Sequence, residues 1–471
     1  MIKFGTGGWR AIIGDDFIHS NINRLAYAMS EFIKETVHDG EKQGIVIGYD
    51  RRFLSRKAAV WCAEVLAGNG IRVLFIDEIA PTPLVMYSVG GYGLNCGMMI
   101  TASHNPCDYN GIKIFTKKGQ DACKEETDRL EEIANAVAFE DVAYVAFEEA
   151  VECGKIRLID PFNEYIDAIL DSLNVEAIKK RRLKVLLDPM HGVSKTCLQT
   201  VLMSARCDVD VINERKDPLF GGKLPAPSSQ TLRKLRDMVV ERHYDIGLAT
   251  DGDADRLGII DEKGRFIHPN EILVLLYYYL LEYKKQKGAV VRNIATTHLL
   301  DKIAADHGEQ CLEVPVGFKN ISAGMESVNA LIGGESSGGL TIRGHIKGKD
   351  GIFAAGLIIE LMSVTGKSLS ELLEEVYEKY GRMKMVERNY RFHPKEKDRL
   401  QKILFEDKRI PDYGYGIERI SYDDGLKIYF MNGGWIIARF SGTEPVLRIF
   451  AEMENEDVSN QTIDLMENFL K

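Results

Sequence analysis

The chain has 471 residues, of which 45% are hydrophobic and 28% charged, a globular composition that excludes disordered and collagen-like chains. Its 60 basic and 70 acidic residues give a net charge of −10, spread without long single-sign blocks, which argues against general binding to nucleic acid or to an anionic membrane. At roughly 150 residues per domain the length suggests about three domains, large enough to fold without disulfides or a structural metal.

Eight cysteines lie scattered, with no Cys-x-x-Cys pair and no zinc-finger spacing, so reduced thiols in a cytoplasmic protein are expected. The N-terminus (MIKFGTGGWR) has no apolar signal-peptide core, and the longest strongly apolar run, residues 272–281, is too short to span a bilayer.

Along the chain, short apolar strands alternate with helical stretches, as in α/β domains. Residues 44–49 (GIVIGY) predict a strand, 56–69 a crossover helix and 71–76 (IRVLFI) the next strand. Residues 96–101 and 111–115 predict two more strands around a loop that contains Ser103. The charged stretch 121–154 predicts helix, with a first boundary near its end. The pattern restarts at 183–187 (LKVLL), with further strands at 209–213 and 245–249 before a cluster of aspartates. A third cycle predicts strands at 289–291 and 330–334 around a helix near 299–307. The tail differs: strands at 386–392, 416–422, 427–430, 435–440 and 446–451, with only two helices, predict an α+β domain with an antiparallel sheet. Four domains are therefore expected, at 1–154, 155–257, 258–375 and 376–471, without flexible linkers.

The chemistry concentrates in loops. In Thr101-Ala102-Ser103-His104-Asn105-Pro106, small neighbours leave the Ser103 hydroxyl open, with His104 beside it and Lys113 on the next strand. A hydroxyl flanked by such groups suits a covalent nucleophile, although a lone loop serine is usually a turn residue. There is no Gly-x-Ser-x-Gly elbow, which weakens a hydrolase reading. In Asp251-Gly252-Asp253-Ala254-Asp255-Arg256, alternate carboxylates project to one side and can converge on a hard cation, Mg²⁺ or Ca²⁺. An EF-hand is disfavoured, because Arg256 stands where the turn needs glycine and both flanks read as strands.

Residues 333–339 (GGESSGG) offer Glu335, Ser336 and Ser337 to a polyol, with His345 and Lys349 just beyond. In Arg439-Phe440-Ser441-Gly442-Thr443-Glu444-Pro445, a guanidinium, two hydroxyls and glycine-freed N–H groups suit a phosphate, without the Walker A pattern. Arg10, in the glycine-rich segment 5–10, is a further anion contact.

In this order the loops resemble those of the α-D-phosphohexomutases, the phosphoglucomutase and phosphomannomutase superfamily, along essentially the whole chain. The resemblance, closest on the phosphoglucomutase side, implies three related α/β domains and a C-terminal domain of TATA-binding-protein-like fold around a central cleft. It implies that Ser103 carries a phosphoryl group and that Asp251, Asp253 and Asp255, with a phosphoserine oxygen, hold Mg²⁺. Arg10, Arg256 and Lys113 would stand near the transferring group, with Lys113, ahead of His104, as the acid/base. Glu335 and Ser337 would hold sugar hydroxyls, Arg439, Ser441, Gly442 and Thr443 the other phosphate, and Lys319 would approach the cleft.

The implied activity is interconversion of hexose 1- and 6-phosphates through a hexose 1,6-bisphosphate, which also acts as activator, in a monomer or homodimer. Gly339 stands where hexosamine and mannose branches often carry histidine, which with residues 349–351 leans toward glucose phosphates. Other mutases of the family are the main alternative. A metal-dependent phosphatase, or a sensor built on an inactive scaffold, is the reading from another class.

Overall fold

Short apolar runs become buried strands because each of the first three sheets is covered by helices. A computed structural model describes residues 1–5, 7–36, 42–116, 119–441 and 445–471. The first sheet runs in the order Phe4–Gly5, Gly8–Ile12, Tyr109–Thr116, Leu94–Ile100, Lys42–Tyr49, Val73–Ile76 and Ile156–Ile159. The second is ordered Asp208–Val211, Lys184–Asp188, Ile246–Thr250, Leu257–Asp261 and Phe266–Ile267. The third is ordered Cys311–Val314, Val290–Asn293, Ile332–Gly334 and Leu340–Ile342.

One arrangement recurs in all three. Counting the first unit from Lys42–Tyr49, the second, first and third strands of each unit lie side by side in parallel, and the fourth folds back antiparallel on the third. The connection between that third and fourth strand holds, in turn, Ser103, the three aspartates and Glu335. The C-terminal sheet is antiparallel throughout, in the order Lys384–Arg391, Val446–Met453, Trp435–Phe440, Leu426–Phe430 and Ile417–Ser421. Its loop after Arg439 also joins two antiparallel neighbours.

The structure shifts several sequence expectations. Residues 121–154 are not one helical stretch: helix Lys124–Ala136 and the short helix Phe147–Glu152 flank a single 3₁₀ turn. Sheet membership moves two expected limits, since Ile156–Ile159 pairs with Val73–Ile76 in the first sheet and the second sheet continues to Ile267. The apolar run 272–281 lies within the buried helix Pro269–Glu282. Among the described residues, no single helix is long and apolar enough to cross a membrane.

Helix Gly351–Thr365 ties the second and third units together. Asp350 caps its N-terminus, accepting from the Ile352 and Phe353 amides at 2.9 Å, and also accepts from the Tyr165 hydroxyl at 2.7 Å. In its middle, the fully buried Glu360 accepts from Tyr279 (2.6 Å), Lys284 (2.7 Å) and the Asn174 amide (2.6 Å). The C-terminal domain has its own core and docks on the third through Ile294, Ala295, Trp435, Ile437 and Phe450.

Removing the Glu360 carboxylate strands the Tyr279 hydroxyl and the Asn174 amide. The buried Tyr279 hydroxyl left without its acceptor costs about 1–3 kcal/mol, so Glu360→Ala should lower the calorimetric melting temperature by several degrees. Glu360→Gln, which keeps one acceptor oxygen, should lose less; equal melting of Glu360→Ala and the parent would contradict this role.

Candidate active site

Ser103 leaves its strand in the left-handed region, at φ 51°, a conformation a non-glycine residue adopts only when its surroundings hold it there. Its amide donates to Thr101 Oγ1 at 2.9 Å. The carbonyls around it converge on the buried guanidinium of Arg52, which donates to Ser103 O and Asn105 O at 2.7 Å, to Pro106 O at 2.7 Å and to Tyr109 O at 3.1 Å. Asp50 underpins this clamp, 3.4 Å from Arg52 Nε and accepting from Ser55 and Thr101. Neither Asp50 nor Arg52 stands out in the sequence, since a charged pair just past a strand carries no chemical signature.

The serine hydroxyl donates to Asp251 Oδ2 at 2.7 Å and lies 3.2 Å from His104 Nδ1. Oγ and Nδ1 share one hydrogen bond, whose donor is set by the imidazole tautomer. The positive charge of Arg256, burial, and the charge of Arg10 hold His104 well below the ordinary histidine value, so its ring is neutral.

Asp251, Asp253 and Asp255 are buried, each with an oxygen within 4.8 Å of the others. Lys113 donates to both Asp253 and Asp255 at 2.6 Å, Lys349 reaches Asp255 at 3.0 Å, and the Thr82 hydroxyl donates to Asp253 at 2.5 Å. Burial and the charges of Asp253 and Asp255 raise the Asp251 carboxyl above the usual range. Burial alone would lower the Lys113 ammonium, but the two carboxylates overturn that and keep it protonated.

Asp253 Oδ1 and Asp255 Oδ1 have no hydrogen-bond partner. Two orphaned buried carboxylate oxygens beside a third carboxylate fit a hard divalent cation. The buried Nε atoms of Arg10 and Arg256 also lack a hydrogen-bond partner, Arg256 Nε standing 3.8 Å from Asp255 Oδ1 as an ion pair, and Arg10 reaches the serine loop through Asn105 Oδ1 at 2.6 Å. Cation-seeking oxygens and anion-seeking nitrogens therefore flank one hydroxyl.

Glu335 accepts from the Gly317 amide at 3.0 Å and from Ser337 Oγ at 3.3 Å; Ser336 is half-buried beside it. A side-chain carbon at Gly339 would stand 2.2 Å from Lys349 Cδ, so the lysine runs through space that only glycine leaves open. His345 is engaged elsewhere: Nε2 lies 2.7 Å from Asp350 and the ring stacks on Phe353 at 4.0 Å.

Lys319 and Lys113 line a small pocket with Gly5, Gly7, Gly8 and Asp121. Burial raises the Asp121 carboxyl, while Lys349 and Lys113 pull it back, which sets this unanticipated acid in the same electrostatic neighbourhood. Arg439 donates to Asp424 O at 3.0 Å and Oδ1 at 2.7 Å, and the Ser441 amide donates to Val446 O at 2.8 Å. Gly442 and Thr443 lie outside the described residues.

Comparison with known proteins matches the whole chain to one family. Models of phosphoglucomutase/phosphomannomutase alpha/beta/alpha domains I, II and III match residues 1–141, 163–264 and 268–380, and the C-terminal domain model matches 385–467. A phosphoglucomutase/phosphomannomutase of Thermococcus kodakarensis is 32% identical over 98% of this chain and 97% of its own. A phosphoglucosamine/phosphogalactosamine mutase of Sulfurisphaera tokodaii is 28% identical, covering 99% of both chains. The crystal structure of a putative phosphomannomutase from Thermus thermophilus superposes with a TM-score of 0.85 at 28% identity, over 100% of this chain and 99% of that one.

Arg52 offers a direct test of the serine loop's support. Arg52→Lys keeps the charge but cannot satisfy four carbonyls. Losing charge-assisted hydrogen bonds should raise amide exchange across residues 103–109 by at least about tenfold, with strand Lys42–Tyr49 unchanged. Unaltered exchange, read by mass spectrometry, would show that the loop holds itself.

Proposed function

The chain belongs to the phosphoglucomutase/phosphomannomutase family of isomerases, and on that premise we propose that it interconverts hexose 1-phosphates and hexose 6-phosphates through a phosphoryl group on Ser103, preferring glucose and accepting mannose. One observation carries this reading: the Ser103 hydroxyl is held 2.7 Å from Asp251, in a cluster where Asp253 Oδ1, Asp255 Oδ1 and the Nε atoms of Arg10 and Arg256 have no hydrogen-bond partner. Phosphoryl transfer asks mainly for such positioning and charge neutralisation. Mg²⁺ held by Asp251, Asp253 and Asp255 supplies that neutralisation when bound.

Arg10 and Arg256 orient the phosphoryl oxygens. The substrate hydroxyl attacks phosphorus, the bond from phosphorus to Ser103 Oγ breaks, and the hydroxyl proton passes to the neutral imidazole of His104; Lys113, the first choice from the sequence, is held as an ammonium between Asp253 and Asp255 and contributes positive charge. A hexose 1,6-bisphosphate results; turned over in the cleft, it returns its other phosphoryl group to Ser103. Glu335, with Ser336 and Ser337, grips hydroxyls common to both orientations, assisted by Lys319 and Lys349. Arg439, Ser441, Gly442 and Thr443 grip the phosphate that is not transferring, while His345 steadies the segment that carries Lys349.

Gly339 supports the glucose reading, because Lys349 fills the space an imidazole would need. A second reading has its own support: relatives from Sulfurisphaera tokodaii and Methanothermobacter thermautotrophicus are named as phosphoglucosamine or probable phosphoglucosamine mutases. Asp121 adds to Glu335 a second carboxylate able to face a sugar ammonium.

Incubation with glucose 1,6-bisphosphate should add one phosphoryl group to the intact protein by mass spectrometry, and none to Ser103→Ala; labelling of that variant would exclude Ser103 as carrier. Across a substrate panel, kcat/KM for mannose 1-phosphate should fall within about a hundredfold of that for glucose 1-phosphate, because the grip assigned to Glu335, Ser336 and Ser337 acts on hydroxyls other than the one at C2. Glucosamine 1-phosphate should be poorer. If it equals or exceeds glucose 1-phosphate and Asp121→Asn abolishes that advantage, the amino-sugar reading replaces the glucose one.

A further inference from the structure

Asp424 lies in the turn between strands Ile417–Ser421 and Leu426–Phe430 of the C-terminal sheet, and each of its three oxygens accepts a hydrogen bond. Its Oδ1 accepts from Arg439 Nη2 at 2.7 Å and its carbonyl from Arg439 Nε at 3.0 Å. The guanidinium is therefore fixed along one edge, leaving the Nη1 side as the part that Asp424 does not engage. Gly425 permits this. It sits at φ +102°, and a side-chain carbon there would stand 2.4 Å from Arg439 Cγ, so the arginine stem lies directly on the turn.

The other carboxylate oxygen reaches across the domain boundary. Asp424 Oδ2 accepts from the Val316 amide at 2.7 Å, and the next amide, Gly317, donates to Glu335 at 3.0 Å. Two consecutive amides thus hold the carboxylate that supports Arg439 and the carboxylate assigned to the sugar. Lys319 follows in the first turn of helix Phe318–Val328.

We propose that Asp424 is a positioning residue that fixes the span between the phosphate grip at Arg439 and the sugar grip at Glu335. The proposal rests on the mutase reading, which gives that span its purpose: a bisphosphate that reacts from both ends must find phosphate and hydroxyl contacts at the same separation in either orientation.

Asp424 does not hold the domains together. The buried Lys427 donates to Ile294 O at 2.6 Å and Glu313 at 2.7 Å, and Trp435 and Phe450 pack on Ile294 and Ala295. Cutting the Asp424 contacts therefore leaves the domain docked but lets Arg439 and residues 315–319 shift independently.

Asp424→Ala should lower kcat/KM by about tenfold or more for both glucose 1-phosphate and glucose 6-phosphate, with the melting temperature unchanged. Asp424→Asn, which keeps an acceptor oxygen, should recover part of the loss. Combined with Glu335→Gln, the effect should be less than additive, because either change breaks the same alignment. Full additivity, a loss confined to one substrate, or a fall in melting temperature that matches the fall in activity would each overturn the proposal. The parent protein is the control for its premise. No conversion of any hexose phosphate by the parent would sink the mutase reading, whereas an active parent with an equally active Asp424→Ala would sink only the role of Asp424.

Discussion

Asp251, Asp253 and Asp255 can share one buried pocket only because cations from other parts of the chain reach it. Lys113 comes from the first sheet, and Lys349 from the segment after the third. Three carboxylates taken out of water without compensation would cost several kcal/mol each. The compensation is thus also a fastening: the first and third units must close on the second for its aspartate loop to exist in this form. The same contacts deliver Ser103, Glu335 and the two lysines to one place, so interdomain packing and assembly of the site are one event.

The recurring topology explains why these loops meet. Each of the first three sheets turns back antiparallel after its third parallel strand, and each turn-back carries one of the candidate site loops. Backbone joins the turns directly, with Leu257 donating to Gly338 O at 3.2 Å and Gly351 to Ala254 O at 3.2 Å. A hairpin connection at a sheet end leaves backbone and side chains free to face a cleft while the strands behind stay buried and rigid. The antiparallel C-terminal sheet reaches the same result by another route, placing Arg439 at the end of a strand and docking through Lys427 and Trp435.

Rigid support is built beneath each loop. Arg52 satisfies four carbonyls around Ser103, Thr82 orients Asp253, and Asp350 caps one helix while fixing His345 and Tyr165. These residues meet no substrate in the proposed reaction. They hold unusual backbone and clustered charge in place at the expense of ordering buried polar groups, a cost that only a fully bonded network offsets.

Much of this was legible in the chain. Apolar runs such as GIVIGY and IRVLFI announce strands because a strand buried on both faces needs continuous hydrophobicity. TASHNP, DGDADR, GESSGG and RFSGTEP announce chemistry because nucleophile, metal and anion sites need particular donors at short spacing, and such local requirements are written locally. Sheet limits were less legible, since Ile156–Ile159 and Phe266–Ile267 join their sheets through partners distant in sequence. Arg52, Thr82, Asp121 and Asp424 were silent for the same reason. Their roles depend on carbonyls, amides and charges brought within 3 to 4 Å by packing, and no spacing along the chain encodes that. Sequence determined the strand and helix pattern and which loops concentrate hydroxyl, acidic and basic side chains; the tertiary structure decided which buried groups those loops lean on, because hydrogen bonding and charge compensation act through space.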